Sequence, residues 1–225
     1  MRKKIFTSVI LPLMTLGVAL SSCQKNNDSS TALSTTSSTK PAVAVVPLID
    51  NSEHSLKWNI ADEITYTLCT KLDQKKLFQL ALPSKIRMQT KRMKGSYNPF
   101  GNDISWVKQV FAEEDFVVFL ELLEHREVPT ATDKAITPAM NSAELKLGLR
   151  LRIIDNRSET PKVTLQEILQ DSHFIPKQFN QYNFEQCSWD NEEFTLSPVG
   201  MAHSQLIKEV KDRIEAYILT AKADR

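Results

Sequence analysis

Leu145-Lys146-Leu147-Gly148-Leu149-Arg150-Leu151-Arg152-Ile153 is the cleanest pattern in this chain. An aliphatic side chain fills every second position and lysine, glycine or arginine fills the gaps. A strand with this pattern lays one face on a core and turns the other to water. Asp155-Asn156 then opens a turn, and Val163 to Ile168 begins the partner strand of an antiparallel hairpin. Upstream, Phe116 to Leu123 reads Phe-Val-Val-Phe-Leu-Glu-Leu-Leu, and Ala42 to Ile49 reads Ala-Val-Ala-Val-Val-Pro-Leu-Ile. Both runs are almost continuously apolar, as expected of strands buried on both faces. Pro47, which has no amide to donate, should end the earlier one.

Helical patterns separate these strands. Asn59 can cap a helix in which Ile60, Ile64, Leu68 and Leu72 recur along one face to about Lys76. Phe78 to Leu82 reads as a short strand, Pro83 to Lys94 as a polar helix without a strong apolar stripe, and Gly95 to Asn102 as loop. Asp103 can cap a short helix carrying Ile104, Val107, Val110 and Phe111. Thr130 to Ser142 is a polar loop, and Pro176 to Phe194 is irregular. Ser197-Pro198 is a strong helix start, and Ala202, Leu206, Val210, Ile214, Tyr217 and Ala221 trace one face to the end. The expected fold is α/β (α+β), a single mixed sheet packed by helices with a C-terminal amphipathic helix.

The amino-terminal region has a different character. Arg2, Lys3 and Lys4 precede an apolar run from Ile5 to Leu20, which closes on Leu20-Ser21-Ser22-Cys23. A basic head, an apolar segment too short to span comfortably and small residues at the exit describe a cleaved secretory signal over residues 1–22. The Leu-Ser-Ser-Cys ending resembles the lipobox of bacterial lipoproteins, which implies acylation, with palmitate among the chains, at Cys23. Multiple acyl chains hold a protein on a bilayer durably, each buried methylene adding about 0.8 kcal/mol. Gln24, rather than Asp, follows the cysteine, which resembles lipoproteins sent to the outer membrane, facing the periplasm. Residues 23–40 are rich in Ser and Thr and form a flexible tether, and 41–225 form a single globular domain. Removing the signal leaves 25 of the 28 basic residues against all 27 acidic ones, so bulk charge points away from nucleic acid.

Chemistry is sparse. With five glycines in all there is no phosphate-cradling loop, and there is no nucleophile elbow, zincin motif or paired-cysteine metal spacing, so neither a cofactor nor a metal is expected. The four histidines, His54, His125, His173 and His203, lie in different elements. Glu121, Glu124 and His125 form the best acid/base group, and on them rests the alternative reading of an envelope hydrolase acting on peptidoglycan or glycan. Strand alternation places Glu124 and His125 on opposite faces, and Arg126 can pair with the acids, so a solvated strand end is expected. Cys69 and Cys187 would lie in an oxidising compartment, where they either bridge or serve as packing. Lys75, Lys76, Lys85, Arg87, Lys91, Arg92 and Lys94 form a basic run with no acid between Gln74 and Asn102. It can be a solvated helix face or a surface for an anionic lipid, glycan or protein partner. Acids gather at Glu113-Glu114-Asp115 and from Asp190 to Glu193, and opposed patches could support a homo-oligomer.

The signature Val43-Ala44-Val45-Val46-Pro47-Leu48, followed by Ala61-Asp62-Glu63-Ile64 opening a helix, a buried strand, an amphipathic strand ending Leu-Arg-Ile-Ile-Asp, its partner and a terminal helix resembles a known domain. It is the periplasmic domain of the curli-secretion lipoprotein CsgG, the penicillin-binding-protein activator LpoB and the amino-terminal part of TolB. The composition also resembles uncharacterised lipoproteins of the chlamydiae. The resemblance covers most of residues 42–221 and implies a non-enzymatic adaptor, activator or secretion-assembly component. In relatives of this kind the last helix commonly follows the hairpin directly, whereas here residues 176–194 intervene.

Overall fold

The computed structural model describes residues 40–53, 59–91, 97–130, 142–179, 189 and 191–223. The signal, Cys23 and the tether up to Thr39 lie outside them, as do His54, Arg92, Lys94, Cys187 and most of the Thr130–Ser142 loop. The chain runs β1 (Ala42–Val45), β2 (Ile49–Asp50), α1 (Ile60–Gln74), β3 (Gln79–Leu80), α2 (Pro83–Lys91), α3 (Ser105–Val110), β4 (Phe116–Pro129), β5 (Ala143–Asp155), β6 (Lys162–Ile175), α4 (Glu192–Thr195) and α5 (Pro198–Ala223). A 3-10 turn at Lys177–Phe179 follows β6. The sheet order is β3-β1-β4-β5-β6, with β2 also paired to β4. β1 pairs in parallel with β3 and β4, and β4-β5-β6 is an antiparallel meander.

Two layers cover this sheet. On one face α1 and α5 bury Ile64, Leu68, Leu206 and Val210 against Val43, Val45, Phe116, Val118 and the odd-numbered apolar residues of β5. On the other, α2 and α3 bury Ile86, Trp106 and Val107 against Ala44, Val46, Val117, Phe119 and Ile154. Apolar residues therefore run almost without a break through β1 and the first half of β4, because both faces there are covered. β5 alternates because one of its faces lies wholly on the main core, where every odd-numbered residue from Ala143 to Ile153 is buried.

Several elements differ in extent from their sequence patterns. The Ala42–Ile49 run is two strands, since Pro47 interrupts the ladder. Val46 still donates its amide to the Val118 carbonyl, at 3.0 Å, but Leu48 donates to the Thr65 hydroxyl on α1 instead. One extra residue on this side brings Ile49 opposite Glu121. β4 continues six residues beyond Leu123, paired with β5 throughout, so Glu121, Glu124 and His125 lie within a strand and not at its end. β3 shrinks to two residues because Pro83 starts α2. Asp103 accepts from the Ser105 amide and hydroxyl just ahead of α3. Of the 176–194 region, the described residues include Trp189, which inserts into the core with its indole N–H donating to Thr67, and Asn191, which caps α4.

Loop residues Tyr97–Gly101 are clamped onto the outer sheet face by Arg152. Its guanidinium donates to three successive carbonyls, Pro99 at 2.8 Å, Phe100 at 3.0 Å and Gly101 at 2.7 Å, and to the Gln166 side chain. The Phe100 ring lies under both Arg150 and Arg152. Burial, with Arg150 alongside, lowers the Arg152 pKa from its ordinary value, a cost that the three carbonyl dipoles offset. Replacing Arg152 with Met should lower stability by about 1 to 3 kcal/mol, because three partly buried carbonyls lose their donor at once. Urea unfolding checks this, and a variant as stable as the parent would refute the clamp.

Gly200, in the first turn of α5, is set by close approach. A Cβ there would stand 1.9 Å from the Phe194 carbonyl oxygen, and the Gly200 amide is held by Ser197 Oγ at 3.0 Å. Alanine at position 200 should force α4 and α5 apart and cost about 2 to 4 kcal/mol. Alanine at Gly148, whose Cβ would come no nearer than 3.2 Å, to the Glu124 Cβ, should cost less. The two melting temperatures measured side by side test the ranking.

Candidate functional site

The carboxylates and imidazole of the hydrolase reading are separated by the sheet itself. A register shift between Leu122 and Glu124 places two β4 residues where β5 has one, so the side chains after it reverse face. Leu122 points to the α5 side opposite Leu149. Glu124, opposite Gly148, points outward, and His125, opposite Leu147, points back inward. Glu121 is on the outer face with Glu124, paired to Arg150 at 3.1 Å and accepting from Asn51 Nδ2 at 2.6 Å. Glu124 accepts from Arg126 at 2.9 Å, as the sequence suggests. The expectation of a solvated end is corrected for Glu121 and His125, both of which are buried because β4 continues past them.

His125 meets a partner that lay in another element. Its Nε2 is 2.9 Å from His203 Nε2 on α5, with the rings nearly parallel and their centroids 5.1 Å apart. One Nε2–H donates and the other Nε2 accepts, so the accepting ring carries no proton at Nε2. Trp189 and Phe194 pack against His203, with ring centroids 5.1 and 5.9 Å away. The pair fastens α5 to the sheet from within, and both rings are buried. His173 pairs with Asp171 on β6, at 2.8 Å. Among the described residues no three His, Cys, Asp or Glu side chains gather as a metal site.

Among the described residues of the basic run, Lys75, Lys76, Lys85 and Arg87 have acidic partners within the molecule. Lys75 pairs with Glu215 at 2.8 Å, Lys76 with Asp73, and Arg87 with Asp62 at 3.2 Å. Lys85 pairs with both Glu113 at 2.7 Å and Glu114 at 2.6 Å. Hydrogen bonds from Lys85 lower the Glu113 pKa, and those to the two acids raise that of Lys85. Lys91 ends α2. Part of the acidic group and part of the basic group thus satisfy each other in one chain, which removes those charges from the head-to-tail contact that the sequence suggests.

A concave surface lies elsewhere, where α1 and α2 diverge. α1 has two working faces: Ile60, Ile64, Leu68 and Leu72 enter the core, while Tyr66, Cys69 and Asp73 form one wall of a groove of about 520 Å³. Leu82, Pro83, Ile86 and Arg87 form the other wall, and Val45, Pro47, Leu80 and Ala81, at the carboxyl ends of β1 and β3, form the floor. The lining is mostly apolar, with Asp62–Arg87 pairing at the rim. Tyr66 and Leu82, on the two walls, are 65% and 69% exposed, which leaves large apolar surface open to solvent on both sides of the groove. Cys69 lies half-buried in this wall with a free thiol, and burial pushes its pKa up to about 11, so it remains a thiol at neutral pH. Cys69 and Arg87 stood out in the sequence, as a bridging or packing cysteine and as part of the basic run, but not as walls of a groove. The detectable signal was Tyr66 and Cys69, set off the core stripe of α1 yet apolar.

Three comparisons bear on kinship. Among solved structures, the hypothetical protein CT253 from Chlamydia trachomatis is 22% identical, with a TM-score of 0.60 over 80% of this chain and 98% of that one, which shows that the two share a fold. The lipoprotein GNA1162 from Neisseria meningitidis is 11% identical, with a TM-score of 0.40 over 76% of this chain and 99% of that one. The C-terminal domain of LpoB from Escherichia coli is 11% identical, with a TM-score of 0.37 over 59% and 82%. No curated protein matches the chain. Residues 29–222 match a family of unknown function (DUF7499), and the chain belongs to that family.

Proposed function

We propose that this chain is a lipoprotein of the cell envelope, anchored through acylated Cys23 to the outer membrane on its periplasmic side, and that it acts by binding a protein partner. The observation that carries the binding role is the α1/α2 groove with Tyr66 and Leu82 exposed at its walls. A mostly apolar concavity with a few polar groups at its rim is the usual form of a recognition site. The hydrolase reading draws no comparable support, since a general acid or base and a carboxylate partner must reach one substrate from one side, and here a β-sheet lies between Glu124 and His125. The anchor reading rests on the basic head, apolar run and Leu20-Ser21-Ser22-Cys23 ending. Among the described residues no helix is long and apolar enough to cross a membrane.

Cys23→Ala should abolish acylation and move the mature protein from the membrane fraction to the soluble one. Metabolic labelling with an alkyne fatty acid followed by detergent phase partition reads both effects. Continued partition into detergent after signal cleavage would reject the anchor.

Tyr66→Lys and Leu82→Asp change exposed groove positions and should each shift stability by about 0.5 kcal/mol or less. Photo-crosslinking from a probe at Thr70, in the same wall, should nevertheless lose its protein adduct in native envelopes by about tenfold or more. Glu121→Gln and Glu124→Gln should leave the adduct intact. Unchanged crosslinking in the groove variants, with peptidoglycan-release activity that disappears in the glutamine variants, would replace the binding reading with the enzymatic one.

A further inference from the structure

The sheet has two edges, and they are built differently. β6 is the long one, at 14 residues, and it carries side chains that oppose further pairing. Glu167, Asp171 and His173 point to the inner face, opposite Leu151, Leu147 and Leu145. A strand added outside β6 would need its own apolar cover over those charges. Inward-pointing charges on an edge strand are a recognised defence against edge-to-edge association. A register shift between Ile153 and Ile154 twists this edge further.

β3 has none of these defences except its shortness. The Gln79 and Ala81 amides donate to the carbonyls of Pro41, just ahead of β1, and of Val43 within it, at 2.9 Å each. Backbone groups alternate in direction along a strand, so the N–H and C=O of Leu80, between them, face the open edge. The Leu80 side chain belongs to the floor of the α1/α2 groove. A hydrogen-bonding backbone step and an apolar concavity are therefore side by side. An acyl chain could fill the concavity but could not use the backbone step. A helix could present apolar side chains, but its own backbone groups are already spent internally. An extended polypeptide satisfies both, with backbone to backbone and alternate side chains into the groove.

We propose that the β3 edge receives an extended segment of a partner protein as an added strand, whose alternate apolar side chains occupy the groove between α1 and α2. This rests on the reading of the groove as the binding surface and specifies its ligand. Because β3 is only two residues long, the backbone contact is confined to Leu80 and its immediate neighbours. Side chains in the groove supply most of the affinity, and the backbone step sets direction and register.

The test uses the full mature protein and a phage-displayed random dodecapeptide library, followed by synthetic copies of the selected peptides. Selected peptides should share apolar residues at every second position, and Leu82→Asp should weaken them about tenfold or more. Methylating one backbone amide of the peptide at the position that meets Leu80 should also weaken binding about tenfold, the loss of one good hydrogen bond. Methylation one residue away should have little effect. Leu80→Pro removes an amide that β1 does not use, so the sheet should survive, and binding should fall about tenfold further than in Leu80→Val, which trims the groove floor but keeps the amide. If binding depends on Leu82 but is indifferent to methylation at every position, strand addition is wrong and the groove reading stands. If no peptide is selected, or the selected peptides ignore Leu82→Asp, both are wrong.

Discussion

Everything in this molecule is registered on β4. Its first half, Phe116 to Leu122, hydrogen-bonds in parallel to β1 and β2 on one side and antiparallel to β5 on the other, with helices over both faces. Its second half has lost the parallel neighbour and keeps β5 alone. The strand therefore joins two kinds of sheet, one entirely interior and one with a wet face, in a single ladder. The register shift between Leu122 and Glu124 falls where that change occurs. It turns Glu124 toward water and His125 toward α5, and the imidazole pair that holds α5 follows from it.

Much of this arrangement was readable from residue order, for a physical reason in each case. The Leu145–Ile153 alternation marked a strand with one face on a core, and β5 is that strand, but its other face is covered at Arg152 and Ile154, where the Pro99–Gly101 loop and the second apolar cluster lie over it. The four-residue spacing of Ile60, Ile64, Leu68 and Leu72 located α1, and Ser197-Pro198 located the start of α5. Effects that depend on a neighbour distant in sequence were invisible. Pro47 looked like a terminus because its missing amide is a local fact, whereas the Thr65 hydroxyl that accepts from Leu48 and lets β2 resume is not. Likewise, an apolar run cannot announce how far a strand continues into polar sequence. β4 persists through Glu124-His125-Arg126 because β5 is there to pair with it.

The candidate site was less legible still. Charges were read as runs, but their partners lie elsewhere: Lys85 is neutralised by Glu113 and Glu114, and Lys75 by Glu215 at the far end of the chain. The histidines were read as dispersed because they are dispersed in sequence, and only the register shift and the packing of α5 bring two of them together. The groove leaves a fainter trace, since its lining comes from the outer face of α1, the carboxyl ends of two short strands and the start of α2. A concavity belongs to the spacing between elements, and no single element records it.

The position of β1 in the middle of the sheet also governs the order in which the domain can assemble. The meander β4-β5-β6 closes through short connections, with Thr130 and Ser142 paired only 12 residues apart. β1 finds its partner much later along the chain: the Ala42 amide binds the Asp115 carboxylate 73 residues on. Loop-closure entropy favours the local pairing first, so the meander is the natural nucleus and β1 is among the last strands to dock. Until it does, one side of β4 presents Phe116 to Leu122, almost wholly apolar, as an unpaired template. For this chain the hazardous interval in folding is the wait for β1, which precedes every other described strand in the sequence and is among the last to be used.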